Sequence, residues 1–115
     1  MARVEYVPET RDLIWINFDP QAGREQAGRR PALVLSPASY NSRSGLALVC
    51  PITRQVKRYP FEVVLPKNAS GIQGAILADH VKSLDWQSRR TQRAGRVTAE
   101  VIAEVRERLF VLLGE

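Results

Sequence analysis

Cysteine is almost missing from this chain of 115 residues: Cys50 stands alone. A single thiol can form neither an intrachain disulfide nor a thiolate metal cluster. Its place in the apolar run Leu46-Ala47-Leu48-Val49-Cys50 marks it as a buried, inert side chain. No apolar run approaches the ~18 residues that read as a membrane span. The opening MARVEYVPETRD has no apolar stretch after its first charge, so it does not read as a secretion signal, and the expected location is cytoplasmic with no membrane partner. Internal repeats and low-complexity tracts are also missing. With 44% hydrophobic and 25% charged residues, the chain reads as one globular domain over 1–115, large enough to hold its own core.

Lysine is scarce as well, with 3 residues against 14 arginines. The net charge of +5 is unevenly spread. Residues 1–23 carry two arginines and four acids, and residues 97–115 carry two arginines and four glutamates, so each end is −2. The middle, 24–96, holds 13 basic and 4 acidic residues, a net +9. Arginine is suited to bidentate phosphate contacts and to stacking on bases. A central, arginine-rich cation field therefore points to a polyanionic partner: RNA, DNA or an acidic protein. A merely solubilising surface would mix its signs more evenly.

Short alternating or apolar segments separated by turn residues predict successive strands. Leu13 to Phe18 is the first, with Ile14, Ile16 and Phe18 on one face and Leu13, Trp15 and Asn17 on the other. Asp19-Pro20-Gln21-Ala22-Gly23 then opens a loop that reaches Arg30. Further strands are expected at Pro31 to Leu35, Leu46 to Thr53 and Phe61 to Leu65. Gly74 to Ala78 and Val81 to Trp86 supply one bent strand or two short ones. Tyr40 to Gly45 reads as a polar turn, and Gln87 to Gly95 as an arginine-rich connector. Thr98 is the expected N-cap of a helix to about Leu113, with Ile102, Val105, Leu109 and Leu112 as its apolar stripe. The expected fold is mainly β, a small, strongly curved antiparallel barrel with a docked C-terminal α-helix.

Candidate chemistry gathers in GREQAGRRPALVLS (23–36) and Pro51-Ile52-Thr53. Gly23 and Gly28 let the loop backbone bend, and Pro31 keeps Arg30 extended at the junction of loop and strand. If the strands holding Arg30 and Thr53 pair, both side chains reach the same end of the sheet and form a phosphate subsite. Glu25 adds a carboxylate, and Gln26 and Arg29 stand beside it. RNA carries its own nucleophile. Cleavage needs a base for the 2′-OH, stabilisation of charge on the phosphate oxygens, and a proton for the departing 5′-oxygen. Arg30 fits charge stabilisation and is a poor base, since guanidinium scarcely deprotonates. Glu25 is the easier base, and Thr53 an oxygen contact. No residue cluster has metal-ligand spacing, in keeping with chemistry that needs no metal or cofactor. On residues alone the structural reading is the stronger, since an Arg-Pro pair is common and a strand-end threonine ordinarily reflects β propensity. Arg54, Lys57 and Arg58 either extend the phosphate track or form a solvated loop.

The motifs Leu13-Ile14-Trp15, Phe18-Asp19-Pro20, GREQAGRRPALVLSP (23–37), Pro51-Ile52-Thr53, Phe61-Glu62-Val63 and GAILADHVKSLDWQSR (74–89) resemble the MazF/PemK family of toxin endoribonucleases, in the family's order and from about residue 5 onward. The resemblance implies a homodimer of SH3-like barrels. It implies sequence-specific cleavage of single-stranded mRNA to 2′,3′-cyclic phosphate and 5′-hydroxyl ends, and neutralisation by an acidic, partly disordered antitoxin. Arg30, Thr53 and Glu25 match the family's catalytic arginine, threonine and loop glutamate. It also makes Asp79 and Lys82 candidate RNA contacts; His80, where relatives often have glutamine, fits RNA contact or an interface better than acid/base catalysis. Arg89 suits RNA or antitoxin docking. Base-edge contacts are expected on the loops Tyr40 to Gly45 and Arg54 to Tyr59. Two other readings stay open: a non-enzymatic, CcdB-like gyrase poison, and an RNA-binding barrel that does not cut.

Overall fold

Residues 6–19 and 28–114 are described by the computed structural model. The alternating segments form strands β1 (Asp12–Asn17), β2 (Arg29–Val34), β3 (Leu46–Thr53), β4 (Glu62–Val64), β5 (Ala75–Leu77), β6 (Lys82–Asp85) and β7 (Gln92–Arg96). All pairings are antiparallel, in the order β4-β5-β3-β2-β1-β7, with β6 pairing β3 beyond the end of β5. The region 74–86 resolves into two short strands joined by a 3-10 turn at Ala78–His80. Strand β3 matches its expected bounds; β1, β2 and β4 differ by one or two residues at their ends.

Two expectations are corrected. The segment read as a polar turn at 40–45 belongs to a short helix, α1 (Ala38–Ser44), and only Gly45 lies outside it, in the left-handed conformation. The second half of the arginine-rich connector belongs to β7, an edge strand that runs on to Arg96 and pairs β1 across a register shift at Leu13/Ile14.

The central strands bury residues on both faces, although Trp15, Leu46 and Leu48 remain exposed. One cluster joins Leu13, Leu33, Cys50, Ile52 and Ile76 to Val97, Val101, Ile102 and Val105 around helix α2 (Ala99–Leu112). The other joins Ile14, Ile16, Phe18, Ala32, Val34 and Val49 to Leu84 and Trp86. The two faces read from Leu13 to Phe18 are thus the faces observed. Burying each such Val or Ile contributes about 1.5–3 kcal/mol. The Thr98 side chain accepts from the Val101 amide (3.3 Å), capping α2 as expected. The apolar stripe holds at Ile102 and Val105 and fails at Leu112, which is exposed.

The sheet is open, and its curvature makes it only loosely barrel-like. The loop after β4 reaches the opposite edge: a Cβ added to Gly95 in β7 would lie 2.9 Å from Ser70 Cβ. No described helix is long and apolar enough to cross a membrane. Cys50 is fully buried, and burial, with the nearby Asp79 charge, pushes its thiol up to about 12.

Candidate active site

Register brings the two central candidates to the same end of the β2–β3 pair. Strands β2 and β3 pair Ala32 with Pro51 and Leu33 with Cys50; the ladder ends there, with Arg30 two residues before Ala32 and Thr53 two residues after Pro51, where β3 passes to its pairing with β5. Both then project from the face that carries Ala32 and Pro51. On the other side of β2, Ile16 of β1 is paired with Arg30. Lys82, paired with Val49, belongs to that face as well. Both Arg30 and Thr53 are half-buried. Thr53 Oγ1 accepts from the Gln55 amide at 3.1 Å, which leaves the hydroxyl hydrogen to donate to a ligand.

Glu25 and Gln26 lie outside the described residues, but the base of their loop is well defined. The Phe18 amide donates to the Gly28 carbonyl at 2.8 Å, and the Gly28 amide returns a bond to Asp19 Oδ1 at 2.8 Å. Gly28 holds φ +72°, a left-handed turn that glycine adopts without cost. Arg89 closes the base from outside: its guanidinium donates to the carbonyls of Asn17 (3.1 Å) and Asp19 (2.7 Å). Arg89 therefore sits in main-chain bonds at the foot of the loop. Arg29 donates to Gln92 Oε1 (3.1 Å) and to the Arg90 carbonyl, which ties it to β7.

Alternation sends Arg29 and Arg54 to the face opposite Arg30. There, with Trp15, Pro31 and Ile52, they line a concavity of about 330 Å³ that Arg30 also borders. Lys57 and Arg58 are exposed on the β3–β4 connection. Asp79 lies in the 3-10 turn and accepts a 2.6 Å bond from the Tyr59 hydroxyl, and His80 follows it, half-buried. Burial, the bond to Asp79 and that carboxylate's charge raise the Tyr59 phenol well above its ordinary value. The sheet end thus offers a guanidinium and a hydroxyl, with the Lys82 ammonium further along the same face beside Val49 and more cations on the other face and at the rim. No trio of His, Cys, Asp or Glu among the described residues is placed to hold a metal ion.

Comparison with known proteins decides the family. Residues 9–113 match the model of the PemK-like, MazF-like toxin of type II toxin–antitoxin systems. The chain belongs to that family. It is 48% identical over 109 residues to the endoribonuclease toxin MazF of Escherichia coli K12, covering 95% of this chain and 96% of that one. The crystal structure of MazF from Deinococcus radiodurans superposes with a TM-score of 0.92 at 56% identity, over 96% of this chain and 100% of that one. A MazE–MazF structure from the same organism gives 0.84 at 51% identity, over 96% and 98%.

Within this MazF-like frame, three groups that organise the site region escaped the sequence reading. Glu62 is buried and binds main-chain amides of the β3–β4 connection. Gly74 is pressed against the Thr53 backbone. Asn41, fully buried, donates to the carbonyls of Pro8 (2.8 Å) and Ser36 (3.0 Å), while its own carbonyl accepts from Trp86 Nε1 (2.9 Å). Only Glu62 carried a signal, as a lone acid between Phe61 and Val63 in an otherwise apolar strand.

Proposed function

We propose that this chain is the toxin of a type II toxin–antitoxin pair, an endoribonuclease that cuts single-stranded mRNA and so arrests translation. The observation that supports this reading is the antiparallel pairing of β2 with β3, whose last pair, Ala32 with Pro51, has Arg30 and Thr53 two residues beyond it on their strands. A phosphate seated there meets a permanent cation and a hydroxyl donor. The RNA 2′-oxygen attacks the adjacent phosphorus as its proton passes to a base, and the P–O5′ bond breaks as the 5′-oxygen takes up a proton. The products are a 2′,3′-cyclic phosphate and a 5′-hydroxyl. Arg30 stabilises the charge that builds on the non-bridging oxygens, and Thr53 adds a hydrogen bond. Glu25 is the candidate base, a carboxylate being far easier to protonate and deprotonate than a guanidinium. Arg54, Lys57, Arg58, Asp79, His80 and Lys82 supply further contacts along the strand of RNA, and Gln26 and Arg29 contacts nearer the loop. Arg89 contributes by fixing the loop base.

The partners inferred are an acidic antitoxin and a second copy of this chain. The net +9 of residues 24–96 suits an acidic segment. Phe110, Val111, Leu112 and Leu113 leave a run of exposed apolar side chains at the end of α2, in keeping with a subunit contact. An mRNA target places the protein in the cytoplasm.

Incubation with a long mixed-sequence RNA in EDTA, followed by mapping of 5′-hydroxyl ends, tests the reading. Discrete cuts are expected, absent when a 2′-deoxynucleotide precedes the scissile bond. Arg30→Ala is expected to lower the rate at least ~10²-fold with the fold retained. RNA binding without cutting would replace this reading with a non-catalytic RNA-binding protein.

A further inference from the structure

The β3–β4 connection carries three exposed cations, Arg54, Lys57 and Arg58, within five positions of one another. Like charges so close together repel, and by themselves favour an open, fluctuating segment. Their side chains make no ion pair among the described residues. The connection is nevertheless tied at three points. At its start the Gln55 amide donates to the Thr53 hydroxyl. At its far side the Glu62 carboxylate, only 6% exposed, accepts from the Lys57 amide at 3.0 and 3.2 Å and from the Arg58 amide at 2.8 Å. The third tie is the 2.6 Å bond from the Tyr59 hydroxyl to Asp79, which joins the connection to the turn carrying His80. Arg58 holds φ +60°, a left-handed conformation unfavourable for a residue with a side chain, and its amide is one of those on Glu62.

A buried carboxylate whose partners are successive loop amides fixes the path of that loop. It does so without neutralising the cations that the loop presents. We propose that Glu62 and Tyr59 are positioning residues for RNA: they hold the β3–β4 connection in one shape, so that Arg54, Lys57 and Arg58 meet the RNA backbone as a prearranged set. The advantage is entropic, because side chains and loop ordered beforehand lose less freedom on binding. The proposal rests on the ribonuclease reading of Arg30 and Thr53.

Glu62→Gln and Tyr59→Phe in the full chain test it with three readouts: trypsin cleavage after Arg54, Lys57 and Arg58 under native conditions, binding of an uncleavable 2′-deoxy-substituted oligonucleotide, and kcat and KM on RNA. Faster trypsin cleavage confined to this segment is expected. Binding weakens and KM rises roughly three- to tenfold, with kcat within about twofold of the parent. Parental trypsin resistance and KM in both variants overturn the proposal. A fall in kcat at constant KM also overturns it, since the pair would then act on the chemistry and not on the loop. Tyr59→Phe, which removes one half-buried hydroxyl, decides the matter if Glu62→Gln does not fold. Should the parent bind the analogue and cut no RNA, the ribonuclease reading fails alone, and the trypsin and binding measurements still decide the role of the loop.

Discussion

At Gly74 the backbone adopts φ +127°, and a Cβ placed there would lie 2.0 Å from the Thr53 carbonyl oxygen. Ala75, the next residue, pairs with Thr53 across the β3–β5 ladder. A side chain at 74 therefore has to move the end of β3, on which the candidate hydroxyl is mounted. Gly74→Ala is expected to lower RNA cleavage at least ~10-fold, from a ~1 Å displacement of the kind that costs reactions dearly. Thermal melting alongside the cleavage assay separates that loss from unfolding; parental activity would show that β3 absorbs the strain elsewhere. At this scale the sequence was informative where chemistry and register coincide. Arg30 and Thr53 were expected at one end of the sheet because two antiparallel strands of known direction allow it. Arg89 and Asn41 were not read as organisers because they reach main-chain carbonyls as far away as Asn17 and Pro8, and Glu62 because its partners are the Lys57 and Arg58 amides. A carbonyl or amide partner leaves no mark on residue type.

Strand β3 was legible because eight residues run nearly without a polar break. Helix α1 was not. Its only buried residue is the polar Asn41, so it offers no apolar period to read. It forms because Asn41 is engaged on several sides and because the Glu9 carboxylate accepts from the Ala38 amide at the helix start (3.0 Å). Strand β7 was missed for a related reason: QRAGR has no buried residue and is held by pairing with β1 alone on its one recorded edge. Such an element is specified by its neighbour more than by its own composition. Asn41→Ala is expected to destabilise the chain by about 2–4 kcal/mol, since it strands the Pro8 and Ser36 carbonyls and the Ser36 hydroxyl that donates to Oδ1 (2.6 Å). Denaturant unfolding measures this. A loss below ~1 kcal/mol would mean that water replaces the side chain without difficulty.

For the molecule as a whole, an acidic centre helps to fasten the segment before β1, beside the ties of Pro8 and Glu9 to α1. Asp12, buried in β1, accepts from the Tyr6 hydroxyl and the Glu9 amide, and lies 3.7 Å from Arg93 Nε and 3.9 Å from Arg96 Nε on β7. Burial first, then the bond and charge of Asp12, raise the Tyr6 phenol far above its ordinary value. A phenol raised on folding stabilises the native state fully below its unfolded pKa of about 10 and loses that contribution as pH climbs beyond it. Stability should therefore fall above pH ~10, and Tyr6→Phe should be less stable at neutral pH and show a shallower alkaline decline. Melting temperatures from pH 7 to 11 check this; parallel curves for parent and variant would exclude Tyr6 as the source. The pinched base of the loop between Asp19 and Gly28 has a consequence for engineering. The posts are fixed by bonds among Phe18, Asp19, Gly28 and Arg89, none of which belongs to the eight residues strung between them. Doubling the length of a flexible loop costs only about 0.6 kcal/mol. Grafts at 20–24 that keep Glu25 and Gln26 can thus be screened for new RNA preferences while Arg30 keeps its mounting in the sheet.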